Sequence, residues 1–415
     1  MSASALEATT PAHAAEGPEP AAGRAGGPGA APVRVLHLLP DLAIGGGQTI
    51  VLNHLRHADR DRFEVVVAVL EGGGALTDDF AEATGRAPIE VPFDARRPWA
   101  SVVPLVRLLR RERIDLLHVH SDVDRKLGHA AALATRVPVV GHLHAEWIHL
   151  GPKVPDGASG PRAAAARVLG WGRDRLERAA VKGYVAESGR VRDLFRPLVG
   201  QPITVLDQAI PLERFDGVRA ERARVRAELD LPADAPVLVC VSRLVPGKGQ
   251  GRLIEALAPV RAEVPGAVLV LVGGGPLLEQ YEAQADRLGL TGAVRFLGDR
   301  HDVPALLGAA DLFAFASENE GFGLALLEAM AAELPVVAMH CVAFEEFVEE
   351  GVTGVLVPQG DVAGLAAAIV EVLASADRGE GFGAAGRAAV ARRFPPDAVA
   401  RSFEGVYDQV LGGQR

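Results

Sequence analysis

The chain has 415 residues, enough for two or three domains at the usual ~150 each. A net charge of −10 and a pI near 5.7 exclude a global basic footprint for nucleic acid. No apolar run reaches the ~18 residues of a membrane span. The two cysteines, Cys240 and Cys341, lack disulfide or metal spacing, which points to a reducing, cytoplasmic setting.

Residues 1–32 are mostly Ala, Gly, Pro and Glu, without a long apolar run, and are expected to form a disordered tail. Order begins with a strand over Val33–Leu39. Pro40 breaks it, and Gly45, Gly46 and Gly47 lead into a helix from Ile50 to Leu55. Strand, glycine turn and helix open a Rossmann-like unit. A dinucleotide site would want G-x-G-x-x-G here, and the bare triple glycine does not supply it. A tight turn needing positive φ is the other reading. Further strands are expected over Phe63–Leu70 and Ala87–Val91, then a helix over Val102–Arg113. That helix carries Arg107, Arg110, Arg111 and Arg113 on or near one side. It is either a solvated face or a peripheral contact with an anionic inner membrane surface.

Two strands then end in His-x-His pairs, His118/His120 and His142/His144. Residues two apart share a strand face, so each pair points one way. Zinc is the tempting ligand, yet no cysteine or Glu-x-x-His spacing accompanies the histidines, and no metal ligand is assigned. The alternatives are structural histidines or strand ends opening into the ligand crevice of a parallel sheet. Asp122-Val123-Asp124 reads as a surface loop. Gly151–Arg162 reads as a loop, Ala163–Ala180 as a helix with Trp171, and Gly183–Ala186 as a strand with Ser188 at a helix N-cap. Ile203–Leu206 leads to the domain boundary. The first domain is placed at 33–207, the second at 208–395, and a closing helix and tail at 396–415.

Val237–Val241 opens the second domain as an apolar strand suited to a sheet buried on both faces. Arg243 and Lys248 follow on a glycine-bearing loop before a helix, an arrangement that suits a diphosphate or a solvated basic loop. A strand over Val268–Val272 and its glycine turn, then the segment Val294–Gly298, lead to a buried run over Asp311–Ala316. Then comes Ser317-Glu318-Asn319-Glu320-Gly321-Phe322-Gly323-Leu324, followed by strong helix formers through Met330. Gly321 and Gly323 allow close backbone approach to a ligand, and the helix start offers N–H groups to an anion. Glu320 and Glu328 fall near one face if the helix begins early. A capping acid and a surface charge are the plainer assignment. Helices over Val362–Leu373 and Pro396–Leu411 finish the chain.

The Glu320-x7-Glu328 pattern after a strand resembles the signature of retaining glycosyltransferases of family 4, which have the GT-B fold: α/β, two Rossmann-like domains facing a cleft, the last helix crossing back to the first. The resemblance covers roughly Val33–Leu411. It implies that Glu320 faces the donor sugar and Glu328 the ribose. The amides of Gly321, Phe322, Gly323 and Leu324 would lie against sugar and phosphates. Arg243 and Lys248 would bind the diphosphate, with Gly46 and Gly47 bordering the donor phosphates. His144 would stand beside the sugar, and the backbone at Arg295 would read the base. The implied activity is metal-independent, retaining hexosyl transfer from a nucleotide-sugar, UDP-sugar favoured, to an unidentified acceptor hydroxyl or amine. No cofactor is implied. A nucleotide-sugar epimerase and a silent partner subunit on the same fold are the alternatives. The chain departs from the family at Gln208–Pro211, at Val342–Glu346 where only Glu346 is kept, and at Glu333, which replaces a glycine. Those departures are expected to change the hinge and the loop beside the sugar. High Ala, Arg and Gly content suits a GC-rich bacterial source.

Overall fold

The computed structural model describes residues 31–144 and 179–412. The expected tail up to residue 30, the Gly151–Arg162 loop and nearly all of the Ala163–Ala180 helix lie outside the described residues. Among the described residues the chain forms two parallel sheets. The first contains β1 (Val33–Leu39), β2 (Phe63–Val69), β3 (Ile89–Glu90), β4 (Leu116–Val119), β5 (Val139–Leu143), β6 (Val181–Ala186) and β7 (Ile203–Val205). Their order is β3-β2-β1-β4-β5-β6-β7. The second contains β8 (Val237–Val241), β9 (Val268–Val272), β10 (Val294–Phe296), β11 (Leu312–Phe315), β12 (Val336–Met339) and β13 (Gly354–Val357). Its order is β10-β9-β8-β11-β12-β13. Each strand order reverses once, between β1 and β4 and between β8 and β11. In open parallel sheets the crevice at that reversal, beyond the strands' C-terminal ends, is where ligands bind.

Continuous apolar runs such as VLVCV and VLVLV form strands covered on both faces, because parallel connections place helices on both sides. The final helix, Pro396–Gly412, crosses back to the first sheet. Its Val399, Phe403, Val406 and Tyr407 share a core with Val35, Leu116, Val140 and Val185.

Several expectations are corrected. Asp124 is not on a surface loop: it lies in the first turn of the helix Asp122–Thr135 and is fully buried. Its carboxylate accepts the amides of His120, Ser121 and Arg125, completing a capping box with Ser121. The arginine-bearing helix ends at Arg111, and Arg113 beyond it has φ 51°. A helix over Ala376–Arg393 was not foreseen, because Gly379, Gly381, Gly383 and Gly386 lower its intrinsic propensity. Two of those glycines let it pack closely. A β-carbon at Gly383 would sit 2.1 Å from the Glu333 carbonyl oxygen, and one at Gly386 3.4 Å from Met330. Glu333 itself adopts φ 58°, the left-handed turn that a glycine would take without strain. The backbone there keeps its turn despite the substitution.

Candidate active site

The loops that leave β8 and β11 flank the reversal point of the second sheet, and they are tied together. Glu318 N–H donates to the Gly247 carbonyl at 2.8 Å, and the Ser317 hydroxyl to the same oxygen at 3.3 Å. Gly249 has φ 76°, and a β-carbon there would lie 1.9 Å from the Ala316 carbonyl oxygen, so only glycine permits this approach. The result brings together two residues that are 72 apart in sequence. Lys248 Nζ donates to both carboxylate oxygens of Glu320 at 2.9 Å. The pair is half-sheltered, with side-chain exposures of 23% and 11%. A cation and an anion held side by side can serve a phosphate and a hydroxyl-bearing group of one ligand.

Arg243 is exposed on the β8 loop. Its carbonyl accepts from Gln250 Nε2 at 2.9 Å, and the same amide donates to Ser242 Oγ at 2.7 Å. Gln250 is fully buried and opens the helix Gln250–Glu263. It therefore positions the loop that bears Arg243 and Lys248, a task its sequence context did not announce.

The helix after Glu320 spans Leu324–Ala331, with Gly323 as its N-cap at φ 91°. It does not begin early, so Glu320 stays in the loop and Glu328 stands on the helix's second turn. The expectation of a shared helical face fails for that reason. Glu328 is 9% exposed, and burial pushes its carboxyl up to about 7, opposed in part by the Arg214 cation. Gly321, Phe322, Gly323 and Leu324 are all buried. Phe322 packs against Phe347 and Phe394 at ring separations of 5.8 and 5.7 Å, which fixes the loop from behind. Arg295 lies on the edge strand β10, its side chain turned back onto the Gly292 carbonyl at 2.6 Å.

The first domain supplies the opposite wall. His144 follows β5, and its Nδ1 donates to Glu187 Oε2 at 2.9 Å. A β-carbon at Gly47 would lie 4.0 Å from His144 Cε1, so the glycine turn and the histidine adjoin. Gly46 and Gly47 open the helix Gly46–Arg56, and neither has positive φ, so close approach is their better explanation. His118, His120 and His142 do not open into the crevice. They are 0%, 5% and 1% exposed, His118 and His142 lying against Phe403 of the crossover helix and His118 also against its Tyr407. The alternating pattern put them on one face, as expected, but that face is a core face.

Two further residues escaped the sequence reading in whole or part. Glu187, just past β6, orients His144. Ser188, foreseen only as an N-cap, accepts from Val191 N at 3.2 Å and donates its hydroxyl to the Gly321 carbonyl at 2.6 Å. That second bond joins the two domains at the loop beside Glu320. Their position at a strand's C-terminal end was the available signal.

The sequence matches the family described as Glycosyltransferase Family 4 over residues 44–214 and that described as Glycosyl transferases group 1 over 221–389. It is 33% identical over 338 residues to the GDP-mannose-dependent alpha-(1-6)-phosphatidylinositol monomannoside mannosyltransferase of Mycobacterium tuberculosis, covering 79% of this chain and 85% of that one. It is 34% identical over 328 residues to the D-inositol 3-phosphate glycosyltransferase of Salinispora tropica, covering 72% and 65%. Among solved structures, Anabaena HepE in complex with UDP and glucose superposes with a TM-score of 0.75 at 25% identity, covering 91% of this chain and 100% of that one. WaaG, a lipopolysaccharide glycosyltransferase, gives a TM-score of 0.67 over 88% and 98% at 19% identity, which speaks to the GT-B fold alone.

Proposed function

The chain belongs to the family 4 glycosyltransferases, and on that premise we propose that it transfers a hexose from a nucleotide-sugar to an acceptor hydroxyl or amine with retention at the anomeric carbon. The observation that carries the reading is the meeting of Lys248 and Glu320 at the crevice of the second sheet. The departing diphosphate takes its counter-charge from Lys248 and Arg243, with the N-terminus of the Leu324–Ala331 helix adding its dipole. No metal and no further cofactor is needed for that stabilisation. Glu320 orients the sugar hydroxyls, Glu328 the ribose, and His144 meets the sugar from the other wall. Backbone at Gly46, Gly47, Arg295 and Gly321–Leu324 completes the donor site, and the donor phosphate itself accepts the acceptor's proton.

The mycobacterial relative is named for GDP-mannose, so GDP-mannose joins the UDP-sugar favoured from the sequence as a first donor to test. That relative's name also points to a lipid-borne acceptor. In keeping with it, Trp99 and Val103 are 62% and 53% exposed in a segment that also bears exposed Arg96, Arg97, Arg107 and Arg110. No helix of the described residues is long and apolar enough to cross a membrane, so contact at this patch would be peripheral.

The test is incubation of the full chain with GDP-mannose or UDP-glucose and phosphatidylinositol-containing anionic vesicles or free inositol phosphate. Products are read by mass spectrometry and their anomeric configuration by NMR. An α-linked glycoside from an α-linked donor is expected. Isomerised donor without glycoside would instead identify an epimerase, and an untouched donor a silent subunit.

Glu328 adds a pH signature. An acid whose folded pKa is raised favours the protonated form, so its contribution to stability is present below ~4.5 and is lost as pH rises through about 7. Ribose hydroxyls donate to the ionised form. Nucleotide-sugar affinity should therefore tighten by about tenfold between pH 6 and pH 8. In Glu328→Gln calorimetry should find a flat profile. A wild-type profile as flat as the variant's would remove Glu328 from the donor site.

A further inference from the structure

The helix Gly189–Phe195 begins just past the C-terminal end of β6, and Ser188 is its N-cap, in extended backbone (φ −157°, ψ 163°) and 2% exposed. A serine hydroxyl has one proton to give and two lone pairs. Here Oγ accepts from Val191 N at 3.2 Å, and the proton goes to the Gly321 carbonyl at 2.6 Å. The helix start therefore fixes the oxygen, and the oxygen holds a carbonyl of the other domain. Two neighbouring contacts seat the same helix start on the loops of the second sheet. Arg190 Nη1 lies 3.8 Å from Cys341 Sγ, just past β12, and a β-carbon on Gly189 would lie 3.6 Å from Glu346 Oε1.

We propose that Ser188 is a positioning residue for the donor sugar, acting through the Gly321 carbonyl on the loop that joins Glu320 to the helix Leu324–Ala331. The proposal rests on the reading of Gly321–Leu324 as donor-site backbone. A trans peptide is planar, with its C=O and N–H pointing opposite ways, so holding the Gly321 carbonyl also sets the direction of the Phe322 N–H. On the second domain's own side the loop rests on aromatic rings. Phe322 packs on Phe347 and Phe394, and a β-carbon on Gly323 would lie 2.7 Å from Phe344 Cε1. Ser188 is the grip from the first domain, a directional bond set against that apolar backing. The β8 loop has supports of its own. The Gly247 carbonyl accepts from Glu318 and Ser317, and Gln250 holds the Arg243 carbonyl. Loss of the Ser188 bond therefore disturbs the sugar's side of the site more than the diphosphate's.

Three full-length variants separate the donated bond from the cap. Ser188→Ala loses both, Ser188→Gly loses the donated bond but leaves a residue tolerated at an N-cap, and Ser188→Thr keeps both. Calorimetry compares GDP with GDP-mannose, or UDP with UDP-glucose, using the pair that the wild type binds. In Ser188→Ala and Ser188→Gly the nucleotide-sugar should bind about tenfold more weakly and kcat for transfer should fall about 10–100-fold, while the nucleoside diphosphate stays within about threefold of wild type. Ser188→Thr should stay within about threefold on every measure, and the urea midpoint should fall most in Ser188→Ala. A serine with a merely structural role would weaken both ligands alike and follow the midpoint. Equal weakening of both ligands, a loss confined to Ser188→Ala, a loss as large in Ser188→Thr, or no loss at all overturns the proposal. Ser188→Ala and Ser188→Gly both lack the bond, so either one that folds is sufficient to compare the two ligands. Wild-type protein that binds the nucleotide-sugar but makes no glycoside refutes the transferase alone, and the binding comparison still decides on Ser188. Active wild type with unchanged variants refutes Ser188 alone, and wild type that binds no nucleotide-sugar refutes the donor site and the role of Ser188 together.

Discussion

Replacing Glu320 by alanine is expected to lower kcat for transfer by about 10²–10³-fold, the usual loss when one preorganised polar contact to the transition state is removed. The structure sharpens this, because the carboxylate also holds Lys248 through two bonds of 2.9 Å. Without it the ammonium is free to meet phosphate, so affinity for the nucleotide product should hold or improve while turnover collapses. Lys248→Ala should do the reverse to product affinity and weaken it. Both side chains keep some contact with solvent, at 11% and 23% exposure, so neither change leaves a sealed, uncompensated charge. Circular dichroism of both variants should match the wild type. Full turnover by Glu320→Ala would count heavily against the proposed donor site, and so would a parallel loss of nucleotide affinity in the two variants.

The second large effect concerns the crossover helix. Phe403 is 1% exposed, and its ring lies 4.3 Å from that of His54 and 5.7 Å from that of His142. Phe403→Ala empties that space and is expected to cost about 3–5 kcal/mol. Phe403→Leu, which refills most of it, should cost less than ~1.5 kcal/mol. All three tryptophans, Trp99, Trp147 and Trp171, belong to the first half of the chain, so their fluorescence reports on that half during urea unfolding. If the alanine variant unfolds at the wild-type urea concentration by this signal, the last helix is not part of the first domain's core. The expectation is the opposite, since Arg62 also bridges to Glu404 and Asp408 at 3.0 and 2.7 Å.

Local patterns were sufficient for β8, β9 and β11 of the second sheet. Runs such as Val237–Val241 and Val268–Val272 are apolar at every position, and only a strand covered on both faces buries all of them. Helix content was harder to read where glycine served packing. The helix Ala376–Arg393 has four glycines, a composition that argues against helix in isolation, but two of them admit close contact with Met330 and Glu333. Asp122–Asp124 failed for a related reason. Its acidic spacing resembles a solvated loop, while the Asp124 carboxylate is in fact consumed by three backbone amides at a buried helix start.

From the chain of residues alone came the family, the two-unit parallel architecture and the candidates Arg243, Lys248, Glu320, Glu328 and His144. Motif spacing carries that much, because each motif is a strand, a turn and a helix start read in one direction. Tertiary structure decided which of them meet. Lys248 and Glu320, 72 residues apart, touch because a reversal in strand order makes β8 and β11 neighbours, a relation that no local pattern encodes. The same holds for the histidines. Alternation assigns each pair one face, but only the returning C-terminal helix makes that face a sealed layer.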